Sequence, residues 1–442
     1  MADAARLRHV AGIVQSQLQR RPVVVLSAMG DTTDHLLEAG NAAYRTGKVN
    51  ADRIVKSHME AIKSLKPSVQ KEIKAFLDEV VGLLSGISVT NELTPKTQDY
   101  LVSFGERLSV RIAAAFFQSA GINAKAFDAW DLGFLSDSNH GQAELANESL
   151  KFIREKITPL VNAELVPVVT GFIARDGHGY ITTLGRGGSD LSATMIAAAC
   201  KAEEAQVWKD VDGILTADPR IVKAARPVGA LNYEEASELA YFGAQVLHPR
   251  AMLPCMKTGT PVRVKNSYNV TAPGTMIGPV MRKAKSGKAS HTKETAPIRA
   301  ITFRSNVTLV DIVSSRMVGQ HGFLAKVFSA FASRNISVDM VATSEVSVSL
   351  TLDTAYDLAA LKEELEKFAG VEIKTGKAIV SIIGDVTRSS EILARAFRTC
   401  QLIGVSVQMV SQGASKVNVS FIVDDTEAAQ VVKTLHMDFF EE

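Results

Sequence analysis

Residues 185–190 bring three glycines, an arginine, a serine and an aspartate together, just before a helical run at 193–201. Glycines let backbone N–H groups approach a ligand, and a helix N-terminus carries about half a positive charge, so the pattern indicates an anion site. Arg186 can bind a carboxylate or a phosphate, whereas Asp190 adds a negative charge that a phosphate alone would not require. The pair predicts an amino-acid ligand, with its α-carboxylate on Arg186 and its α-ammonium on Asp190. A glycine turn capped by Ser189 is the structural alternative.

A second group of polar residues follows a short apolar segment near the start of the chain. Residues 22–26 are apolar and rich in valine, which is typical of a buried parallel strand. Because ligands bind at the carboxyl ends of strands in open α/β sheets, Ser27 and Thr33 are candidate ligand contacts. N-capping of the next helix by Asp31 or Thr33 explains the same residues equally well.

Glu106 is a carboxylate in a segment with helical periodicity. The segment 104–108 opens a helix whose apolar face includes Leu108 and Ile112. This start predicts that Glu106 lies in the first helical turn, where the helix dipole alone favours a negative charge. From this segment by itself, the dipole is therefore the preferred explanation.

The elements that must position these residues alternate along the chain. Apolar strand-like runs occur at 22–26, 166–172, 205–208 and 260–264, with helical segments between them. Strands alternating with helices predict an α/β domain with a mostly parallel sheet. The charged helical segment at 49–84 predicts an excursion exposed to solvent.

The overall composition bounds the class of protein. The 442 residues suffice for two or three domains, and 46% hydrophobic and 22% charged residues are ordinary for a globular protein. A net charge of +2 without a basic, aromatic-interleaved stripe gives no indication of a nucleic-acid partner. No apolar run approaches the ~20 residues of a membrane span, so no membrane partner is expected. The three widely spaced cysteines favour buried thiols and a reducing compartment.

The last third of the chain contains an internal repeat. It follows residues 282–297, where five basic residues without periodicity predict a solvated linker. Residues 324–341 align without gaps onto 393–410, at an offset of 69 residues. Each copy consists of a helix, a strand and a further alternating strand. This order fits the ferredoxin-like plan, so we predict a duplicated sensor module.

Several separated motifs resemble those of the aspartate kinase family, in the same order along the chain. The resemblance covers essentially the whole sequence and fits the monofunctional type with two ACT domains. Gln245 and residues 261–268 are similar to the plant form. The motifs lie at residues 27–34, 104–107, 171–172, 185–190, 208–213, 242–249 and 343–347.

The resemblance implies a fold, an activity and partners. The expected domains are an amino-acid kinase domain at 1–281 (a carbamate-kinase-like αβα sandwich), a linker at 282–297, and ferredoxin-like βαββαβ ACT domains at 298–375 and 376–442. The implied reaction is phosphoryl transfer from ATP, with Mg²⁺, to L-aspartate, at the entry to lysine, threonine and methionine synthesis. Lysine, alone or together with threonine or S-adenosylmethionine, is the implied effector, and a homodimer through the ACT domains is the implied assembly. No metal site made by protein side chains is expected.

The resemblance also implies roles for single residues. Arg186 would bind the aspartate α-carboxylate, while Glu106 and Asp190 would face the α-ammonium. No residue is identified as a chemical catalyst, and Asp190 and Arg186 would have supporting roles in the reaction. The remaining substrate positions are Ser27, Thr33, Phe172, Gly187 and Ser189. The nucleotide positions are Lys209, Asp210, Leu215, Arg220 and Gln245. The lysine positions are Met317, Phe323, Leu324, Asp339, Thr343, Ser344 and Glu345.

The sequence departs from the family at its start. Family members begin with a strand ending Lys-Phe-Gly-Gly-Thr-Ser-Val, and Met1 falls where its last valine stands. We expect that the start site has been assigned wrongly. The chain as written should then be nearly inactive, whereas a form extended to include this strand should be active. The alternatives are a non-catalytic amino-acid-binding regulatory subunit, or another amino-acid kinase that acts on glutamate or acetylglutamate. Cytoplasm is the expected compartment, and the plastid stroma is the alternative.

Overall fold

The chain divides into two compact units. The first comprises Met1–Val211 and Leu247–Ala272, and the second comprises Asp212–Val246 and Pro273–Glu442. The computed structural model describes residues 3–243, 247–279, 298–314, 321–353, 356–386, 389–413 and 415–441. The predicted linker at 282–297 therefore lies outside the described residues.

Short apolar strands form the sheets of the first unit. They are β1 (Val24–Leu26), β2 (Ala124–Phe127), β3 (Leu135–Ser136), β4 (Val166–Thr170), β5 (Ile173–Asp176), β6 (Ile181–Thr183), β7 (Ala205–Lys209) and β9 (Val262–Asn266), β8 belonging to the second unit. β4 pairs in parallel with both β1 and β2, and β7 pairs in parallel with β9. β3 is parallel to β5, whereas β5 and β6 are antiparallel. The predicted mostly parallel pairing is thus present.

Helices cover these strands and supply most of the core of the first unit. They are α1 (Ala4–Ser16), α2 (Thr32–Thr46), α3 (Asp52–Ile62), α4 (Pro67–Thr90), α5 (Pro95–Ser119), α6 (Ser149–Asn162), α7 (Gly188–Cys200) and α9 (Pro249–Thr258). α5 is central to that core, since Phe104 and Phe117 are fully buried. Its start is fixed by the Thr94 hydroxyl, which accepts a hydrogen bond from the Thr97 N–H (3.1 Å), and by Pro95 at the first helical position.

The second unit is built around an antiparallel sheet. Its elements are β8 (Ala230–Asn232), α8 (Tyr233–Tyr241), β10 (Thr275–Gly278), β11 (Ile298–Val313), α10 (Phe323–Ala332), β12 (Val341–Thr343), β13 (Ser347–Asp353), α11 (Leu358–Glu366), β14 (Gly370–Gly384), α12 (Ser389–Leu402), β15 (Met409–Ser411), β16 (Asn418–Asp424) and α13 (Asp425–Phe440). Six strands form one sheet in the order β12-β13-β11-β14-β16-β15. β8 and β10 pair in parallel.

Two long strands, β11 and β14, divide the six-stranded sheet into two halves. Residues 307–313 of β11 pair with β13 and with residues 370–377, whereas residues 298–304 pair with 379–384. The first half carries α10 and α11, and the second carries α12 and α13. Each half follows the ferredoxin-like plan predicted for the repeat. The second half includes a strand formed by residues 298–304, which precede the first half in sequence. The predicted domain boundary between residues 375 and 376 stays a prediction.

Two helices begin earlier than their sequence patterns predicted. α5 begins at Pro95 rather than near residue 104, and α7 begins at Gly188 rather than at residue 193. In both cases small or polar residues occupy the first turns, so the apolar period becomes visible only further along the helix. Within the described ranges, no helix is both long enough and apolar enough to span a membrane.

Candidate active site

The glycine loop at 185–190 joins β6 to α7 through two left-handed residues. Gly185 has φ 70° and Gly187 has φ 75°, a conformation that costs a side-chain-bearing residue free energy. Gly187 is the N-cap of α7 and no side chain caps this helix, so the alternative of a cap by Ser189 is wrong. Ser189 and Asp190 lie instead within the first helical turn, at the positive end of the helix dipole.

The end of β4 packs directly on this first turn. A Cβ atom on Gly171 would lie 2.7 Å from both Cβ and Oγ of Ser189, so only glycine permits the approach. The next residue, Phe172, has φ 66°, and its N–H donates a hydrogen bond to the Ser192 hydroxyl (3.2 Å). The left-handed residue and this bond fix the strand end against α7. The structure therefore brings the predicted Phe172 and Ser189 together.

The loop after β1 lies against both β4 and α5. The Gly171 N–H donates to the Leu26 carbonyl (2.9 Å), and a Cβ on Gly105 would lie 2.8 Å from the Ala28 Cβ. Ser27 is exposed and Thr33 is half-buried in the first turn of α2. Asp31 occupies the N-cap position of α2, as the alternative predicted, but its side chain makes no capping bond, and Thr33 lies inside the helix rather than at the cap.

Glu106 is a buried carboxylate that faces this loop. It lies well inside α5, because that helix begins at Pro95, so the predicted first-turn position and its dipole explanation are wrong. One carboxylate oxygen accepts a hydrogen bond from the Ala28 N–H (3.1 Å). The other oxygen is buried and has no hydrogen-bond partner among the described residues. Burial raises the pKa of Glu106 to about 8, which the bond from Ala28 only partly offsets.

Asp190 and Lys209, predicted to contact different ligands, form an ion pair with each other. The Lys209 Nζ lies 3.0 Å from one carboxylate oxygen of Asp190 and 3.3 Å from the other. Lys209 is the last residue of β7, and its carbonyl accepts hydrogen bonds from the N–H (2.8 Å) and the hydroxyl (3.0 Å) of Ser267. Arg186 is exposed on the glycine loop, and none of the described residues forms an ion pair with its guanidinium.

Asp99 supports the glycine loop and was not predicted from the sequence. This buried carboxylate, in the second turn of α5, accepts a hydrogen bond from the Thr183 hydroxyl (2.6 Å) at the end of β6. Its other oxygen contacts the His140 ring (2.8 Å) and the Gly141 N–H (3.1 Å). Thr183 lies 84 residues away along the chain, so no local pattern could reveal the contact.

Two residues at the start of α9 hold the other side of the loop. The Arg250 guanidinium donates to the carbonyls of Leu184 (3.0 Å) and Ala143 (2.7 Å). A Cβ on Gly187 would lie 2.6 Å from the His248 Cβ, so this ring lies directly over the loop. Burial and the positive charges of Arg186 and Arg250 lower the pKa of His248. The His-Pro sequence at 248–249 was a visible helix-start signal for this element.

The predicted nucleotide positions fall in different parts of the chain. Asp210 is exposed in the first unit, immediately after Lys209. Leu215 and Arg220 belong to the second unit, where the Arg220 guanidinium pairs with Asp218 (2.6 Å). Gln245 lies outside the described residues. The described ranges contain no group of three or more histidine, cysteine or acidic side chains that could hold a metal ion.

Among the predicted lysine positions, Asp339 already has partners in the second unit. Its carboxylate accepts a hydrogen bond from the Tyr241 hydroxyl (2.5 Å) and pairs with Arg304 (3.1 Å). Burial raises the pKa of Asp339, although the hydrogen bond from Tyr241 and the charge of Arg304 lower it. Burial also raises the pKa of Tyr241, to about 12. Among the other lysine positions that the structure describes, Phe323 is buried. The remaining ones are exposed, namely Leu324, Thr343, Ser344 and Glu345. Met317 lies outside the described residues.

Models of two protein families match this chain. The amino acid kinase family matches residues 1–266, and the ACT domain matches residues 310–366 and 380–439. The first match includes every element of the glycine-loop site described above. The two matches confirm the predicted succession of an amino-acid kinase domain and ACT domains.

Full-length relatives and solved structures give the same result. Aspartokinase 1, chloroplastic, of Arabidopsis thaliana is 47% identical over 460 aligned residues, covering 100% of this chain and 79% of the relative. Lysine-sensitive aspartokinase 3 of Escherichia coli (strain K12) is 34% identical, covering 100% and 97%. The structure of E. coli aspartokinase III in complex with aspartate and ADP matches with a TM-score of 0.81 at 31% identity, covering 99% of this chain and 97% of that one. Its complex with lysine and aspartate gives a TM-score of 0.78 at 32% identity.

Proposed function

This chain belongs to the aspartokinase family, and we propose on that premise that it transfers the terminal phosphoryl group of MgATP to the side chain of L-aspartate. The products are ADP and 4-phospho-L-aspartate, at the entry to lysine, threonine and methionine synthesis. The observation that carries the proposal is the contact of Gly171 with Ser189. It brings the ends of β1 and β4 onto the first turn of α7, beside the arginine and the aspartate of the glycine loop.

The proposed substrate contacts follow from charge and burial. Arg186 is exposed and uncommitted to an ion pair among the described residues, so its guanidinium is available for the α-carboxylate. One carboxylate oxygen of Glu106 is buried and has no hydrogen-bond partner among the described residues, and the α-ammonium would donate a hydrogen bond to it. Ser27, Thr33, Phe172, Gly187 and Ser189 complete the proposed substrate site.

The chemistry needs no general base. A free aspartate side chain has a pKa of about 3.9, so it is ionised at neutral pH and attacks directly. A bond forms between a carboxylate oxygen and the γ-phosphorus as the bond from that phosphorus to the bridging oxygen of ADP breaks, and ADP keeps the electron pair. The protein then contributes positioning and charge stabilisation, for which glycine-loop N–H groups at a helix N-terminus are suited.

For the nucleotide, we propose two groups of residues on different grounds. Lys209 and Asp210 stand at the carboxyl end of β7, where ligands bind in α/β sheets. Leu215, Arg220 and Gln245 are proposed from the family resemblance. Mg²⁺ would enter with the phosphates, because this ion is commonly held by one or two carboxylates and phosphate oxygens rather than by a protein cage.

We further propose lysine as an effector and a homodimer through the ACT domains. Asp339 and Glu345 are the carboxylates that would hold a lysine ε-ammonium, together with Met317, Phe323, Leu324, Thr343 and Ser344. The E. coli relative is named lysine-sensitive, and its structure was solved with lysine. The names of the Arabidopsis relatives include the word chloroplastic, which supports the plastid alternative for the compartment.

An ATP- and aspartate-dependent hydroxamate assay tests the function, on this chain and on the same chain extended by Lys-Phe-Gly-Gly-Thr-Ser before residue 1. We expect the extended chain to turn over aspartate but neither glutamate nor acetylglutamate. Arg186→Ala should raise the KM for aspartate at least ~10-fold through loss of a charge-assisted contact. Arg53→Ala, which removes an exposed arginine of α3, is the matched control. Absence of turnover in both proteins, together with calorimetric lysine binding, would instead favour a regulatory subunit.

A further inference from the structure

The ion pair between Asp190 and Lys209 poses a problem for substrate binding. Asp190 is the carboxylate proposed to face the ammonium group of aspartate. In the structure both of its oxygens are already within 3.3 Å of the Lys209 Nζ. The lysine thus presents an ammonium group to the carboxylate that the ammonium of the substrate requires.

The lysine side chain can leave without disturbing its strand. Its backbone is held twice, because the Ser267 N–H and hydroxyl both donate to its carbonyl. Its side chain is one-third exposed, and Asp190 is the partner to which its Nζ donates. An ion pair with this much solvent contact contributes little to stability, so its exchange is inexpensive.

The other cations around the loop have different commitments. Arg250 is held by two main-chain carbonyls, and its rigid guanidinium fits that structural role. Lysine carries a compact charge on a flexible stem with rotatable donors, which suits a group that changes partner. Lys209 also stands at the strand end where the phosphates of a nucleotide would lie.

We propose that Lys209 is an exchangeable counter-ion that couples the two substrates. It neutralises Asp190 while the aspartate site is empty, and it moves to the nucleotide phosphates when the substrate ammonium takes its place. No covalent bond changes in this exchange. The inference rests on the proposed function and adds a preferred order of substrate binding, with the nucleotide first. A bound nucleotide would attract Lys209 and so make Asp190 available to aspartate.

Calorimetric titration of L-aspartate, with and without ADP and Mg²⁺, tests this coupling in the full chain. We expect ADP to tighten aspartate binding about 5-fold or more in the wild type, the lower end of typical coupling between sites. In Lys209→Met, aspartate should bind without ADP at least as tightly as in the wild type, and ADP should no longer change its affinity. Lys209→Arg should keep part of the coupling. Lys151→Met, which removes an exposed lysine of α6, should behave as the wild type.

Lys209→Gln is the second variant, because its amide can still donate to Asp190 while carrying no charge. Like Lys209→Met, it should lose the coupling and lower kcat more than it raises the KM for aspartate. If ADP still tightened aspartate binding in folded Lys209→Met and Lys209→Gln, the proposed exchange would be overturned. Weaker aspartate binding than in the wild type without ADP would also overturn it. Wild-type turnover of aspartate tests the proposed function separately, so an active wild type with no coupling would disprove only the role of Lys209.

Discussion

Replacing Glu106 by glutamine should make the first unit more stable at neutral pH while it weakens aspartate binding. The glutamine amide keeps an oxygen to accept the Ala28 N–H, so the local hydrogen bond survives. It removes the ionisable group whose second oxygen is buried without a described partner. Stability and substrate binding should therefore respond in opposite directions to one substitution.

The magnitude follows from the pKa of Glu106, which burial raises from 4.5 to about 8. Between these values the folded state holds a proton that the unfolded state has lost, so the free energy of unfolding falls as pH rises. The slope from one proton is ~1.4 kcal/mol per pH unit. From pH 5.5 to 7.5 the wild type should lose at most ~2.7 kcal/mol through this group, and Glu106→Gln should not show this loss.

Urea unfolding followed by tryptophan fluorescence measures this difference. Both tryptophans of the chain, Trp130 and Trp208, lie in the first unit, so the signal reports on the unit that holds Glu106. Glu60→Gln, an exposed change in α3, should leave the pH slope as in the wild type. Equal slopes for wild type and Glu106→Gln would refute the assignment of a buried, protonated carboxyl group. The KM for aspartate should rise at least ~10-fold in Glu106→Gln, since a charged acceptor is lost.

Three further substitutions probe the scaffold and the effector site. Gly171→Ala should lower stability by ~1–3 kcal/mol in urea unfolding, because its Cβ meets the first turn of α7, whereas Gly177→Ala, which has open space, should change little. Asp99→Asn should lower stability by ~1–3 kcal/mol and reduce kcat, because a buried acceptor of three hydrogen bonds becomes partly a donor. Tyr241→Phe should strengthen lysine inhibition in the hydroxamate assay, because the Asp339 carboxylate loses a competing donor; unchanged inhibition would contradict lysine binding there.

Local sequence signals were enough to locate the strand ends and the glycine loop. The run before Ser27 and the run before Gly171 are apolar and β-branched, and each ends at a small or polar residue. The repeat was equally visible, because each copy repeats both a helical and an alternating apolar pattern. These features depend on residues that are neighbours in sequence, which is where periodicity carries information.

Contacts that cross the chain could not be predicted in this way. Asp99 was not singled out, although its helix-start signal, Thr94-Pro95, was present and would have placed α5 correctly. The bond from Tyr241 to Asp339 joins residues 98 positions apart. The contribution of residues 298–304 to the second half of the sheet could not be predicted for a related reason, since these residues precede the first half in sequence.

The two carboxylates proposed to face the substrate ammonium both have their negative charge neutralised without it, by different means. Asp190 is paired with Lys209, and Glu106 is protonated at neutral pH because of its burial. An isolated ionised carboxylate in either position would be costly, and the structure avoids that cost in the free protein. Aspartate must therefore displace a lysine and a proton when it binds. It follows that its affinity should increase with nucleotide, which attracts the lysine, and with pH up to about 8, which removes the proton.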